Sequence, residues 1–458
     1  MKILHFTPTV TYGPFKPLNA VNGGPWCDRN SAWQKRSNFA DYKAARIPYT
    51  RNHDANLCGS VYGGPYTVDI TAIFPRFDAD PYDPESYDFA CTDESVIVPL
   101  EAGTKTFYRL GQSIEHQVKK HGTVPPADFG KWAVICEHII RHYTEGWADG
   151  FDAGIEYWEI WNEPSNPDGQ TCWGGTKEQF FDLYTVTAKH LKACFPSLKI
   201  GGPASMFHLD WAGEFLDHLK ANDVPLDFFS WHAYCIEPTE VADCARTMRR
   251  LLDSHGFAGV ESILDEWNYV RDWGDDFVKS LITIGSEKGA AFTLGSMCEC
   301  QKAPVDMLIY YDARPSVFCG LFDYYTYLPR KGYYPFLWYG AMYDALEIRC
   351  AESEKNLYTL AGIKDDGKLL AIFVNYSDDD TAGEITVKPD FGRSARFEIF
   401  AVSRDRSGEK VAEETDPVIT LPINSMVFLK EKEASSFCAV NPARDLLLKN
   451  RSKETYCK

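Results

Sequence analysis

The stretch IEYWEIWNEP, residues 155–164, has the aromatic and β-branched residues of a strand and stops at a proline. It also carries two acidic residues, Glu159 and Glu163. Strand cores usually exclude carboxylates, because a buried carboxylate is costly unless it is paired or used in a reaction. Alternation along a strand puts both side chains on one face at different depths. The sequence therefore predicts that Glu163 lies at the strand end, and that Glu159 lies deeper as a structural partner of Arg51 or Arg109.

Seven more runs of strand character alternate with helical stretches up to about residue 345. Eight strands in that alternation predict an α/β fold, a (β/α)8 TIM barrel. A doubly wound open sheet is the alternative. It would carry a glycine-rich phosphate loop after an early strand, and the sequence has neither GxGxxG nor GxxxxGK followed by serine or threonine. The other predicted strands are KILHFTPTV at the N-terminus, 46–53, 104–111, 198–204, 225–234, 260–268 and 290–299, and the predicted helices are 31–45, 127–150, 176–195, 209–222, 240–256, 275–289 and 335–346.

Beyond about residue 350 the sequence changes to short runs with period-two character, separated by Asp-Gly, Ser-Asp-Asp and Ser-Gly turn signals. This pattern predicts an all-β accessory domain, a small C-terminal sandwich. The expected organisation is a barrel over 1–346, a β-sandwich over 347–432 and a C-terminal extension over 433–458.

The 458 residues include 65 acidic and 47 basic side chains, a formal net charge of −18. That charge repels phosphate backbones and anionic lipid, so we expect no nucleic-acid or membrane partner and a neutral substrate. The N-terminal apolar run is too short for a signal peptide, and the 14 cysteines are scattered, which favours free thiols in a reducing compartment. We therefore expect a cytoplasmic protein. The oligomeric state stays open, a homo-oligomer included.

A second acidic residue has the same kind of context: Glu266 closes the predicted seventh strand in LDEWN, residues 264–268. In a barrel the C-terminal ends of the strands face one pocket, so Glu163 and Glu266 are expected to meet there although they are far apart in the chain. Either motif alone could be a turn. Two carboxyl groups flanking a glycosidic bond can divide the work, since one protonates the leaving oxygen and the other attacks or activates water. Asp265 is expected to point away by alternation and to cap a helix or turn.

WEIWNEP followed by ILDEWN resembles the acid/base and nucleophile motifs of the retaining glycoside hydrolases of clan A, and most resembles family 39, the family of the β-xylosidases. The resemblance runs through the strand motifs of most of residues 1–346, and family 39 also carries a β-sandwich accessory domain. It implies Glu163 as general acid/base and Glu266 as nucleophile, with no metal and no cofactor. The implied activity is that of a retaining, β-xylosidase-like O-glycoside hydrolase, with a carbohydrate substrate derived from plant or other polysaccharides.

The same resemblance implies a set of side chains around the two glutamates. Arg51, in YTRNHDA, would lie beneath the nucleophile and hold it ionised, and His53 would line the sugar pocket. Asn162, which precedes the acid/base, would contact the sugar 2-hydroxyl. In SWHAY, His232 resembles the histidine close to the acid/base, and Tyr234 resembles the tyrosine that donates a hydrogen bond to the nucleophile.

Two aromatic residues complete the expected substrate contacts: Trp267, beside the nucleophile, and Tyr311. Clan members commonly place a tryptophan on the eighth strand, beneath the sugar ring, and LGSMCECQ has none. Met297, or a residue of the later run LIYYDARPSVF such as Tyr310 or Asp312, would take that place. This departure bears on which sugar is bound and leaves the two-carboxylate mechanism untouched.

Several functions remain open at this point. A clan A hydrolase with β-glucosidase, β-galactosidase or arabinosidase specificity would use the same residues, and so would a transglycosylase with a sugar acceptor in place of water. A carbohydrate-binding barrel without turnover is the alternative from another class. The presence of both carboxylates argues against it.

Overall fold

The computed structural model describes residues 1–27, 36–53, 67–166, 172–381 and 383–432. Within them the chain forms two compact units, one of Lys16–Gly340 and one of Met1–Phe15 with the described part of Ala341–Lys458. The predicted barrel boundary of 1–346 therefore differs from the observed one at both ends. The predicted extension 433–458 lies outside the described residues.

The N-terminal strand β1 (Lys2–His5) does not belong to the barrel. It belongs to the second unit, where it pairs in parallel with residues 387–390. Three of its four residues are exposed, whereas the strands of a parallel barrel are buried on both faces. The prediction that KILHFTPTV opens the barrel was wrong. The first barrel strand is Ala20–Asn22, in which all three residues are buried.

Lys16–Gly340 forms a closed barrel of eight parallel strands in chain order, which confirms the predicted TIM barrel. Its strands are β2 (Ala20–Asn22), β3 (Tyr49–Arg51), β4 (Lys105–Leu110), β5 (Tyr157–Ile160), β6 (Lys199–Met206), β7 (Phe228–Cys235), β8 (Glu261–Tyr269) and β9 (Met307–Tyr310). The helices are α1 (Phe39–Ala45), α2 (Ile70–Ile73), α3 (Ala90–Ala102), α4 (Phe129–Glu145), α5 (Lys177–Cys194), α6 (Leu209–Ala221), α7 (Pro238–His255), α8 (Phe277–Ile284), α9 (Glu287–Gln301) and α10 (Tyr333–Ala341). None of the helices in the described ranges combines the length and the apolar character needed to cross a bilayer.

The predicted eighth strand, residues 290–299, is instead part of helix α9. Ser286 precedes this helix, and its side chain accepts a hydrogen bond from the backbone N–H of Gly289. Residues 290–298 are all buried, and periodicity alone cannot assign a short run that is apolar on every side to a strand or a helix. The strand that closes the barrel is β9, which pairs in parallel with both β8 and β2.

Side chains that point into the barrel form layers. The lower layer is apolar and consists of Ala20, Phe107, Tyr157, Phe228, Ile263, Met307 and Ile309. Two residues further along their strands, on the same face by alternation, the side chains are polar: Asn22, Arg109, Glu159 and Asp265. The apolar layer therefore forms a floor beneath a layer of polar and charged groups.

The other unit is a β-sandwich, as predicted for the C-terminal region, with β1 added from the N-terminus. Its strands after β1 are β10 (Ala345–Ile348), β11 (Leu357–Lys364), β12 (Leu369–Asn375), β13 (Ile385–Asp390), β14 (Arg396–Ser403), β15 (Arg406–Thr415), β16 (Ile419–Leu421) and β17 (Ser425–Glu431). One sheet has the order β1-β13-β16 and the other β10-β11-β12-β17-β14-β15. Leu4 and Val387 of the first sheet share a core with Phe373 and Phe397 of the second.

Gly201 of β6 lies where the barrel has no room for a side chain. A Cβ at this position would lie 2.3 Å from the carbonyl oxygen of Phe228 in the neighbouring strand. We predict that Gly201→Ala lowers the free energy of unfolding of the barrel by about 1–3 kcal/mol, because the backbone must shift to relieve the overlap. Urea-induced unfolding followed by tryptophan fluorescence measures the loss. Gly259→Ala is the control, since a Cβ there meets nothing within 4 Å. An equal loss in both variants would contradict the prediction.

Candidate active site

Glu163 and Glu266 lie together at the C-terminal end of the barrel. Glu163 comes three residues after the end of β5, and Glu266 lies in the second half of β8. With His232 of β7 they form a compact group, in which one carboxylate oxygen of each glutamate and one ring nitrogen of the histidine all lie within 4.8 Å of one another. Glu266 and His232 are buried and Glu163 is half-buried. The site therefore brings together two carboxyl groups and an imidazole that is close to both.

The backbone around Glu163 has an uncommon conformation. Trp161 and Glu163 have φ angles of 77° and 46°, in the left-handed region that residues other than glycine rarely adopt. Two hydrogen bonds hold this turn: the N–H of Trp161 donates to the carbonyl of Leu110 (2.7 Å), and the N–H of Glu163 donates to the carbonyl of Ala204 (2.9 Å). Such conformations persist where the surrounding structure fixes them, and they are concentrated at functional sites. Here the turn directs the Glu163 side chain to His232.

His232 is the direct partner of Glu163. Its Nδ1 lies 2.8 Å from Glu163 Oε1 and 3.5 Å from Glu266 Oε2. Burial alone would raise the pKa of Glu163, but the hydrogen bond and the charge of His232 outweigh burial and lower it. Burial alone would lower the pKa of His232, but the charges of Glu266 and Asp265 and the hydrogen bond with Glu163 raise it well above its usual value. The two groups therefore share one proton, which these surroundings place on His232.

The fully buried guanidinium of Arg51 contacts Glu266. Its Nη1 donates to Glu266 Oε1 (2.8 Å) and its Nη2 donates to Asn162 Oδ1 (2.7 Å). Its Nε donates to Glu159 Oε2 (2.7 Å) and lies 3.1 Å from Asp265 Oδ2. Burial disfavours the cation, but the neighbouring carboxyl groups outweigh burial and raise the pKa of Arg51. Arg51 therefore stays charged and fixes the position of one oxygen of Glu266.

Glu159, the deeper acid of the strand that ends in Asn-Glu-Pro, contacts Arg51 and is fully buried. Its pKa is raised well above the usual value, first by burial and then by the charge of Asp265, against the opposing effect of Arg51. Burial therefore favours the protonated form of Glu159, and Asp265 and Glu266 also lie close to the charge of Arg51.

Asp265 faces the barrel interior, contrary to the prediction from strand alternation. Strands β7 and β8 pair Trp231 with Leu264 and His232 with Glu266, so Asp265 is the extra residue of a β-bulge. A bulge opposes two residues of one strand to one residue of its partner and interrupts the alternation of the side chains. The carboxylate of Asp265 is fully buried, with Oδ1 3.5 Å from Nε2 of His232. The adjacent Asp265 and Glu266 are the sequence signal that could have indicated two inward carboxyl groups. Strict alternation of side chains along a strand argues against that interpretation.

Tyr234 and His53 complete the surroundings of Glu266. The hydroxyl of Tyr234 donates to Glu266 Oε2 (3.0 Å). His53 Nε2 lies 3.8 Å from Glu266 Oε1, and His53 Nδ1 accepts a hydrogen bond from Nε of Arg109 (3.2 Å). Burial and then the nearby guanidinium groups lower the pKa of His53 well below its usual value, so the ring is neutral with its proton on Nε2. Asp69, which no sequence motif indicated, pairs with Arg109 (Nη2 to Oδ1, 2.8 Å).

The two aromatic residues predicted as substrate contacts lie in different places. Trp267 is fully buried, and its ring packs against Phe292 of α9 (centroids 6.2 Å apart) and Tyr310 of β9 (5.6 Å). Because it follows the inward-facing Glu266, it points to the helices outside the barrel, and the prediction of a substrate contact was wrong. Tyr311 directly follows β9 and is half-exposed, with its ring 5.4 Å from that of Phe318. A substrate contact by Tyr311 stays a prediction.

Comparison with known proteins finds one family that part of this chain resembles. Residues 67–261 match the family model described as glycosyl hydrolases family 39. This part of the chain is similar to the glycosyl hydrolases of family 39. Two similar proteins are both named beta-xylosidase: one from Caldicellulosiruptor saccharolyticus (32% identical over 165 residues, 34% of this chain and 32% of that protein) and one from Geobacillus stearothermophilus (28% identical over 218 residues, 44% of this chain and 41% of that protein). The matches with these two relatives span about a third to two fifths of their length.

The fold also occurs in a solved structure. A glucosidase from Croceicoccus marinus has a TM-score of 0.78 with this chain at 22% sequence identity, over 95% of this chain and 100% of that chain. At this level of identity the likeness shows the fold alone.

We predict that Asp265→Asn lowers the pKa of the His232 imidazole. The Asp265 carboxylate is one of the charges that stabilise the imidazolium, so its loss makes the ring release its proton at lower pH. NMR titration of the ring signals, with His232→Gln for assignment, measures the change. Asp217→Asn neutralises an exposed carboxylate on α6 and is the control. An unchanged titration of His232 in Asp265→Asn would contradict the prediction.

Proposed function

We propose that this protein is a retaining glycoside hydrolase, with Glu266 as the nucleophile and Glu163 as the general acid/base. The observation that carries the proposal is the short distance between the two carboxyl groups, which have oxygens within 4.8 Å of each other. Retaining glycosidases hold their carboxyl groups about 5–5.5 Å apart, whereas inverting enzymes leave about 6.5–9.5 Å so that a water molecule fits between carboxylate and sugar. The spacing in this site supports direct attack by a carboxylate.

In the first step an oxygen of Glu266 attacks the anomeric carbon. The bond from that carbon to the leaving oxygen breaks, and the oxygen keeps the electron pair and takes a proton from Glu163. Arg51 and Tyr234 each donate to one oxygen of Glu266, which orients the carboxylate and favours its ionised form. The proton comes from the pair formed by Glu163 and His232, 2.8 Å apart.

In the second step water attacks the anomeric carbon of the glycosyl ester, and Glu163 accepts a proton of that water. The bond from the anomeric carbon to Glu266 breaks, and its electron pair restores the Glu266 carboxylate. The ester has removed the negative charge of Glu266, which in the free protein raises the pKa of His232. The pair of Glu163 and His232 gave up its proton in the first step, and with Glu266 neutral it has less tendency to take another from solvent, so the Glu163 carboxylate is available as the base. The change in charge on Glu266 drives the exchange of roles.

The substrate proposed is a β-D-xyloside or a related neutral glycoside. Both similar proteins named above are β-xylosidases, and a neutral sugar suits a chain with a net charge of −18. The likeness to a glucosidase concerns the fold alone. A panel of nitrophenyl glycosides that includes β-xyloside, β-glucoside, β-galactoside and α-L-arabinosides ranks the sugars, and turnover of none of them would contradict the proposal.

We predict that azide rescues the two glutamate variants with opposite stereochemistry. In Glu266→Ala, azide takes the place of the nucleophile and a β-glycoside gives the α-glycosyl azide. In Glu163→Ala, the ester still forms from a nitrophenyl glycoside, because its leaving group needs little protonation, and azide then gives the β-glycosyl azide. Without azide, Glu163→Ala loses about 100- to 10,000-fold on substrates that need the acid. Glu145→Ala, an exposed glutamate on α4, is the control. The same anomer from both variants would contradict the assignment of roles.

A second expected outcome concerns the first sugar released. Double displacement inverts the anomeric centre twice, so a β-glycoside gives the β-anomer first, before it equilibrates in water. Proton NMR in the first minutes of hydrolysis reads this directly. An α-anomer as the first product would exclude the retaining mechanism while leaving a glycosidase in place.

A further inference from the structure

Five aromatic rings form a continuous wall at the C-terminal end of the barrel, beginning at the proposed nucleophile. This aromatic wall consists of Tyr234, Trp273, Phe277, Tyr311 and Phe318. The ring of Tyr234 contacts that of Trp273 edge to face (centroids 4.9 Å apart), and Trp273 stacks on Phe277 (5.4 Å). Phe318 contacts Trp273 (6.2 Å), Phe277 (5.6 Å) and Tyr311 (5.4 Å). The contacts join residues that follow β8 and β9 to a residue of β7.

Trp273 is the exposed member of the wall. It is 57% exposed, while the other tryptophans in the described ranges are buried or half-buried. Large aromatic side chains contribute most when they are covered, so a tryptophan left open beside a reactive centre is informative. The loop that carries it is ordered by Asp272, whose carboxylate accepts hydrogen bonds from the backbone N–H groups of Gly274 and Asp276, which lower its pKa. The indole is therefore held in place without being covered.

The wall leads outward from Glu266. Tyr234 touches this carboxylate through its hydroxyl, and Trp273 contacts the ring of Tyr234 while remaining open to solvent. Glu266 is only 5% exposed, so the sugar that it attacks must reach the bottom of the site. The part of the substrate beyond the broken bond must then extend toward solvent, and Trp273 is the exposed aromatic residue of the wall on that side.

We infer that Trp273, supported by Phe277 and Phe318, binds the leaving group of the substrate by stacking against a ring. This inference rests on the proposed function. The faces of a sugar ring carry C–H groups, and a flat indole offers them an apolar surface with a negative π face. The ligand class is thus a glycoside whose leaving group is itself a ring with a flat face, either a second sugar or an aromatic aglycone. A glycoside with a small leaving group would not use this surface.

The test compares three substrates that deliver the same sugar, here xylose, to Glu266: the β-1,4-linked disaccharide, the 4-nitrophenyl β-glycoside and the β-glycosyl fluoride. The disaccharide and the nitrophenyl glycoside distinguish a sugar from an aromatic leaving group, and the fluoride has no ring to stack. In Trp273→Ala we expect kcat/KM to fall about 10-fold on at least one of the two ring substrates, the size of one aromatic contact. We expect kcat/KM on the fluoride to stay within about twofold of the wild type. Trp273→Phe keeps a ring and should recover most of the loss.

The controls distinguish the loss of a leaving-group contact from damage to the fold or to the reacting groups. Ile282→Ala removes an exposed apolar side chain of α8 and should leave kcat/KM unchanged on all three substrates. An equal loss on all three substrates in Trp273→Ala would mean that the indole supports Tyr234 and the nucleophile, and would overturn the inference. No loss on either ring substrate would overturn it as well. In both of these outcomes the wild type is active, so the proposed function stands and only the inference fails. A wild type that turns over none of the three substrates would contradict the proposed function and the inference with it.

Discussion

A single buried cation organises this site. The guanidinium of Arg51 is fully shielded from water, and a charge in that position is stable only with partners that compensate the loss of hydration. Its partners come from β5, β8 and the turn after β5: Glu159, Asp265, Glu266 and Asn162. Asn22 of β2 accepts a further hydrogen bond from Nη1 (3.1 Å). Arg51 of β3 thus connects its own strand to three others, and one of its partners is the carboxylate proposed to attack the sugar.

The groups around Arg51 and His232 explain why Glu163 and Glu266 can behave differently although they lie close together. Glu266 accepts hydrogen bonds from a permanent cation and from a tyrosine hydroxyl, and neither donor gives up its proton easily. His232 lies nearer to Glu163 (2.8 Å) than to Glu266 (3.5 Å), and it can both hold and return a proton. Asp265 lies close to Arg51 and to His232 and so acts on both groups. The proposed division between a nucleophile and an acid/base follows from these different hydrogen-bond partners.

Much of the fold and of the site was predictable from the sequence, because strand ends in a barrel face one pocket. Asn-Glu-Pro after β5 and the glutamate of LDEWN in β8 were enough to bring Glu163 and Glu266 together. The first barrel strand was missed because Ala20–Asn22 is three residues long and offers no periodicity, while Lys2–His5 is a stronger strand that pairs elsewhere. The eighth was missed because α9 is apolar on every side, and Met297 within it is buried core and not a substitute for the sugar-binding tryptophan.

Inside the site the errors have a different origin. A β-bulge cannot be read from alternating side chains, so the position of Asp265 required the pairing of β7 with β8. Trp267 shows the opposite error. A tryptophan next to the glutamate proposed to react was predicted to contact the ligand, but the strand directs its side chain outward to Phe292. Asp69 lies far in sequence from any motif, and only the folded barrel brings it to Arg109. Local sequence patterns indicated the two glutamates that are proposed to react, and only the tertiary contacts show which residues fix their positions.

The pairing of β1 with β13 has a consequence for the synthesis of the chain. Lys2 pairs with Val387, so β1 leaves the ribosome long before its partner strand β13. Domains generally fold as units during translation, at about 5–20 residues per second, and the barrel residues 16–340 are all made in the interval between these two strands. The three-stranded sheet of the sandwich can therefore form only after all barrel residues have been made, and β1 must wait many seconds for β13. A chain interrupted before β13 has all residues of the barrel but lacks the middle strand of that sheet.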